Sequence, residues 1–200
     1  KLPAMVEMTK KKLTCLRMGM GIKKKIPRNN KKIIDYATNY RTELLDIYLP
    51  MNCLFYIADN SGIQVPASFN NVQVGITNHI GFDITQTWGI IFIPKKIWLK
   101  KRKRYMTLKE MIVTGLASWK GAYEKKYKKF DDEPVFVENT KLEIKDFTIE
   151  VYKKVRNKWK NKKEDISMQK KFWSMINEMK NTNWPAFGGP NKSTISTTFL

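Results

Sequence analysis

The chain has one histidine (His79) and two cysteines (Cys15 and Cys53) among its 200 residues. So few metal-ligating side chains exclude a zinc ribbon, an iron–sulfur cluster, a disulfide scaffold and most histidine-dependent catalysis. No cofactor is implied, and both cysteines read as reduced thiols. Long apolar runs are missing too. The longest covers residues 89–94 and extends only weakly through Ile97, Trp98 and Leu99. A membrane-spanning helix needs roughly 20 such residues, so a soluble chain with no membrane partner is expected. Acid is also scarce, with 18 Asp and Glu against 38 Lys and Arg, for a formal charge of +20.

What is present is a core-forming composition, 42% hydrophobic and 12% aromatic, which excludes disorder throughout. A folded body with this charge repels itself, and an anionic partner relieves that cost. Nucleic acid offers the densest charge, and each neutralised phosphate releases condensed counterions. Composition therefore favours nucleic acid over a membrane surface or an acidic protein, without distinguishing RNA from DNA.

Along the chain, residues 1–51 read as a basic N-terminal extension. Its first 32 residues crowd lysine and arginine against the single Glu7, without a sustained apolar period. Gly19, Met20, Gly21 and Pro27 interrupt any helix there. Such a segment has the charge of a mitochondrial targeting peptide, but its two arginines and little serine favour a basic arm lying on a polyanion. A short helix is expected over 35–49, with Tyr40, Leu44, Leu45 and Tyr48 on one stripe.

Residues 52–160 read as the folded body. A strand is expected over 53–57, ended by the turn residues Asp59–Gly62. Three further β segments, 63–67, 72–76 and 82–88, joined by turns at Asn70–Asn71 and Asn78–Gly81, predict an antiparallel meander. A cationic stretch follows at 95–104. Thr107 and Glu110 then have capping-box spacing before a helix expected to reach about residue 126, with Leu108, Ile112, Leu116, Trp119 and Tyr123 buried. A short strand is expected over 134–138. Asp146 is expected to cap a helix carrying Phe147, Val151, Val155 and Trp159. Residues 161–200 read as a further helix, 165–180, and an irregular tail.

Three groups carry the candidate RNA contacts. In the cationic stretch, Lys95, Lys96, Lys100, Lys101, Arg102, Lys103 and Arg104 can reach phosphates while Trp98 stacks on a base or packs inward. Ser68, Asn70 and Asn71 lie at a turn, where polar side chains can meet phosphates or 2′-hydroxyls. Lys153, Lys154 and Arg156, near Trp159, could form a basic helical face. His79 reads as a surface polar residue or a single RNA contact.

The order of meander, basic loop, helix, strand and helix resembles small-subunit ribosomal protein eleven. The resemblance is sharpest over 62–78, where Ala67, Ser68, Phe69, Asn70 and Asn71 resemble that family's Ala-Ser-Phe-Asn-Asn-Thr turn. Gly81 and Trp88 continue the clear similarity to about residue 88, and the helix near 106–127, Phe136–Val137 and Phe147–Thr148–Ile149 extend it weakly to about residue 159. The family's glycine-rich loop is Lys/Arg-rich here, and Asn139 to Lys145 replaces its Gly-Pro-Gly-Pro-Gly-Arg stretch. Such drift, with long added ends, suggests a mitochondrial version. The resemblance implies an α/β fold with a mixed, ribonuclease H-like sheet and a place on the small-subunit platform. The implied partners are rRNA, neighbouring ribosomal proteins and messenger RNA near the exit site. It implies a structural constituent of the mitochondrial ribosome and no enzyme.

The alternatives are an RNA-processing nuclease or another basic RNA-binding protein. A nuclease needs carboxylates converging on metal ions, and Asp59, Asp83, Asp131, Asp132 and Glu133 are the candidates.

Overall fold

The computed structural model describes residues 1–22, 24–27, 30–82, 89–180 and 193–197, without the side chains of 178–180. It is a mixed α/β structure of two compact units. The first comprises Lys1–Gly75 with Thr140–Trp159, and the second comprises Ile76–Asn139 with Lys160–Leu200.

In the first unit the N-terminal segment is not an irregular arm. Residues Leu2–Lys10 form α1, with Pro3 in the first turn, where its missing N–H costs nothing. Ala4 and Met8 fall four residues apart and are buried. This stripe packs against α7 (Lys141–Val155), whose buried Ile144, Phe147 and Val151 have helical spacing. Next, β1 (Cys15–Leu16) pairs in parallel with β2 (Ile33–Ile34). The loop between them is drawn in by Arg17, which donates to Asp35 and to the Lys24 carbonyl.

The helix expected over 35–49 is two helices, α2 (Tyr36–Asn39) and α3 (Glu43–Met51). Thr42 opens the second, its hydroxyl accepting the Leu45 N–H at 3.2 Å. The buried Tyr36 fixes the break, its hydroxyl accepting the Thr42 N–H at 3.1 Å. Tyr40, Leu44 and Tyr48 are consequently exposed rather than a buried stripe.

After β3 (Tyr56–Ala58) comes the clearest departure from expectation. Gly62–Gln64 is a 3₁₀ turn and Val65–Phe69 is helix α4, where the meander reading put a strand. Pro66 explains it. A proline lacks the ladder N–H of an inner strand but suits the first turn of a helix. The turn buries Ala67 completely, and Asn71 then takes φ +57° to enter β4 (Val74–His79). At Gly75 an added Cβ would lie 2.7 Å from Ile57 Cδ1 and 3.0 Å from the Phe147 ring. Any larger residue there would have to displace both side chains, so glycine suits the close approach of β4 to α7.

In the second unit the rest of β4 is followed in its sheet by β5 (Ile91–Pro94) and then β9 (Thr194–Ile195). Strands β5 and β9 are parallel, with Phe92 opposite Ile195. Phe92 is fully buried among His79, Phe82 and the Phe172 and Trp173 rings of α8 (Lys163–Lys180). The third expected segment of the meander, from Asp83 through Trp88, lies outside the described residues, as does most of the C-terminal tail.

A second sheet has the order β7-β6-β8, from β6 (Lys96–Leu99), β7 (Arg104–Tyr105) and β8 (Pro134–Val137). Its core is Ile97, Leu99, Met106 and Leu116, with Tyr127, Phe130 and Phe136 packed against it. The expected capping box is present. The Thr107 hydroxyl accepts the Glu110 N–H, Glu110 accepts the Thr107 N–H, and α5 (Leu108–Thr114) follows. That helix stops at Gly115, which takes φ +86°, instead of running to 126. A new helix, α6 (Trp119–Ala122), starts at Ser118. Likewise α7 starts at Thr140, with its own capping box to Glu143, and Asp146 lies inside it.

Candidate nucleic-acid interface

The cationic stretch is not a loop but a β-hairpin. Strand β6 supplies Lys96 and Trp98 to one face and the buried Ile97 and Leu99 to the other, the two-residue alternation of a half-buried strand. It turns through Lys100, Lys101, Arg102 and Lys103 into β7, Lys103 taking φ +49°. Trp98 meets Tyr105 edge to face at 5.1 Å, and the Lys96 ammonium lies 5.7 Å from the Tyr105 ring. Both sit on the outer face of the sheet.

The turn is fixed from below by one carboxylate. Asp132 accepts the N–H groups of Lys101 (2.9 Å) and Arg102 (3.1 Å). Burial pushes this carboxyl up, but those N–H groups, that of Glu133 and the Arg102 charge outweigh it and hold it below its ordinary value.

Around the hairpin, acid answers base almost residue for residue. Lys95 pairs with Glu138 (3.4 Å), Lys100 with Glu133 (2.8 Å) and Lys101 with Asp131 (2.5 Å). Arg102 (3.4 Å) and Arg104 (2.5 Å) share Glu110. The Arg104 guanidinium, with the Thr107 N–H, holds Glu110 well below the usual carboxylate range. The sequence reading named the cations but missed this set of partners. No local signal reveals them, because it is the pairing of Leu99 with Pro134 that brings the turn beside residues 131–133. Three of the proposed metal-binding carboxylates are therefore ion partners or backbone anchors of the hairpin.

The other candidate residues lie in the first unit. Ser68 is buried, so it is not the exposed contact that was expected. Asn70 and Asn71 are exposed, and the Asn70 amide donates to the Met51 carbonyl at 2.6 Å, which ties α4 to the end of α3. At the C-terminal end of α7, Lys153 and Lys154 both lie 5.8 Å from the Trp159 ring, and Arg156 is exposed. Lys154 also pairs at 2.7 Å with Glu150, a fully buried carboxylate one helical turn earlier. Its first task is thus internal neutralisation. Asp59 pairs with Lys1 at 2.8 Å, and Asp83 lies outside the described residues.

His79 is the largest correction among single residues. It is buried against Phe92, with ring centroids 4.7 Å apart, and burial pushes its pKa down to about 3. Its imidazole is a neutral core group, not a surface contact. Cys15 and Cys53 are free thiols, each raised by burial, Cys53 to about 11. Among the described residues no three His, Cys, Asp or Glu side chains are grouped so as to hold a metal ion, and no helix is long and apolar enough to cross a membrane.

No family model, curated protein or solved structure matches this chain.

Proposed function

We propose that this chain is an RNA-binding structural constituent of a mitochondrial small ribosomal subunit, with a role like that of small-subunit ribosomal protein eleven. On this reading its α/β fold is a divergent ribonuclease H-like one, and it performs no chemistry of its own. Its partners would be small-subunit rRNA and neighbouring ribosomal proteins, with messenger RNA close by.

The observation that carries this reading is the hairpin tip. Four consecutive cations, Lys100 to Lys103, stand exposed on a turn whose backbone is fixed by Asp132. A flexible basic run loses rotational freedom when it meets a phosphate, whereas a turn held in place loses less. The surrounding ion pairs do not prevent this use. Exposed pairs are worth about 0–1 kcal/mol each, and a dense row of phosphates can displace the carboxylates. The charge of +20 points the same way.

Fractionating mitochondria on a sucrose gradient and probing for this chain tests the assignment. The chain is expected in the small-subunit peak, and to leave it when the subunit is treated with ribonuclease. A chain found only in slowly sedimenting fractions would overturn the reading.

A further inference from the structure

A second basic surface, in the second unit, was not among the expected contacts. The sequence reading buried Trp119 and Tyr123 along one long helix, but the break at Gly115 changes their setting. Tyr123 is 64% exposed and stacks face to face on Trp119, with centroids 4.4 Å apart and planes 14° from parallel. The stack is held rigidly from behind. A Cβ at Gly81 would lie 2.8 Å from the Trp119 backbone, and the Phe82 N–H donates to the Ala117 carbonyl at 2.8 Å. Ser118 accepts the Gly121 N–H at 2.7 Å.

The residues that follow spell Lys125, Lys126, Tyr127, Lys128, Lys129, Phe130. Tyr127 and Phe130 pack on the Ile97–Leu99–Met106–Leu116 core, so the lysines between them are held outward and are all exposed. Backbone bonds fold this segment against α6, Lys126 N–H donating to the Lys120 carbonyl (3.0 Å) and Lys128 N–H to the Thr114 carbonyl (2.9 Å). Acid is sparse here. Glu124 pairs with Lys126 at 2.7 Å, and among the described residues no carboxylate pairs with Lys125, Lys128 or Lys129.

We propose that Tyr123, stacked on Trp119, with the exposed Lys120 in the same helix and the exposed Lys125, Lys128 and Lys129 in the segment folded back against it, is a platform for an unpaired base of single-stranded RNA. The base stacks on the outer face of Tyr123 while the lysines meet the flanking phosphates. An aromatic ring accepts any base face, and stacking on such platforms tolerates sequence. The exposed ring serves little purpose against a duplex, whose bases are already stacked. The proposal rests on the RNA-binding reading above and adds a base contact to it.

The test uses the full chain and three probes: a short uridine strand, a strand of equal length and charge with abasic sites throughout, and an RNA duplex. The chain should bind the uridine strand more tightly than the abasic one, and Tyr123→Ala should weaken uridine-strand binding about tenfold. Abasic and duplex binding should stay unchanged, and Tyr123→Phe should restore the loss. Thermal melting checks that Tyr123→Ala folds, as its exposure predicts. Equal salt-dependent binding of bases and abasic strand would overturn the platform while leaving the RNA-binding reading intact. Failure to bind any of the three probes would overturn both.

Discussion

Two basic segments of the second unit, the hairpin at 95–104 and the stretch at 119–129, present charge in opposite ways. The hairpin concentrates seven cations in ten residues and surrounds them with Glu110, Asp131, Asp132, Glu133 and Glu138. The later stretch has five lysines, spaced by aromatic anchors and faced by Glu124 alone in its own sequence. Density along a sequence is therefore a poor guide to the field at a surface, because folding brings distant carboxylates to the densest run. The hairpin's charges shape a rigid turn as well as offering contacts. The second segment leaves its charge less compensated and presents an exposed ring, that of Tyr123. Both are tied to one buried core, the hairpin by the Lys95 N–H on the His79 carbonyl and the stretch by the Phe82 N–H on the Ala117 carbonyl.

The comparison breaks most visibly at Gly121. A Cβ there would lie 1.9 Å from the Gly115 carbonyl oxygen, and backbone cannot yield as a flexible side chain can. Gly121→Ala should cost about 3 kcal/mol in denaturant unfolding and remove the Trp119–Tyr123 stack. On the proposed function, the variant should still bind RNA in a salt-dependent way through the hairpin under conditions where it is folded.

Acid should loosen both segments together through His79. Its pKa lies below the unfolded value of roughly 6.5, so the unfolded chain binds a proton that the folded one refuses. Stability from this source is complete above about pH 6.5 and is lost as the pH falls toward about 3. By pH 5 the loss should reach about 2 kcal/mol relative to pH 7. His79→Phe should flatten that slope in melts recorded across the range, and an unchanged slope would contradict the buried, neutral assignment.

Removing acid from the hairpin sharpens the contrast further. If Asp131, Glu133 and Glu138 restrain Lys101, Lys100 and Lys95, replacing them with amides should raise RNA affinity about tenfold. The salt slope should steepen by about 2 for three added phosphate contacts. The smallest effect belongs to the cap, where Thr107→Ala should cost about 1 kcal/mol by thermal melting and leave RNA binding nearly unaltered.

Local chemistry in the sequence carried some elements well. Thr107 with Glu110, the strand at 134–137 and the Phe172–Ile176 stripe of α8 were all readable, because each rests on neighbours within a few residues. Pro66 also carried its signal, but valine and isoleucine alternation outweighed it and a helix was read as a strand. The breaks at Tyr40–Thr42 and Gly115 depend on tertiary anchors, Tyr36 on Thr42 and Gly121 on Gly115, that no local period reveals. For the candidate interface, the cations were legible and their compensation was not. Asp132 reaches Lys101 across 31 residues, and Lys154 serves a carboxylate whose burial only the packing of α7 determines.

The proposed function requires phosphates to be met by lysine and arginine side chains held on a folded body. Measuring affinity for a small-subunit rRNA fragment across a series of salt concentrations tests this directly. If about six phosphates are engaged, log affinity should fall against log salt with a slope of about −4. A slope near zero, with binding retained in high salt, would contradict it.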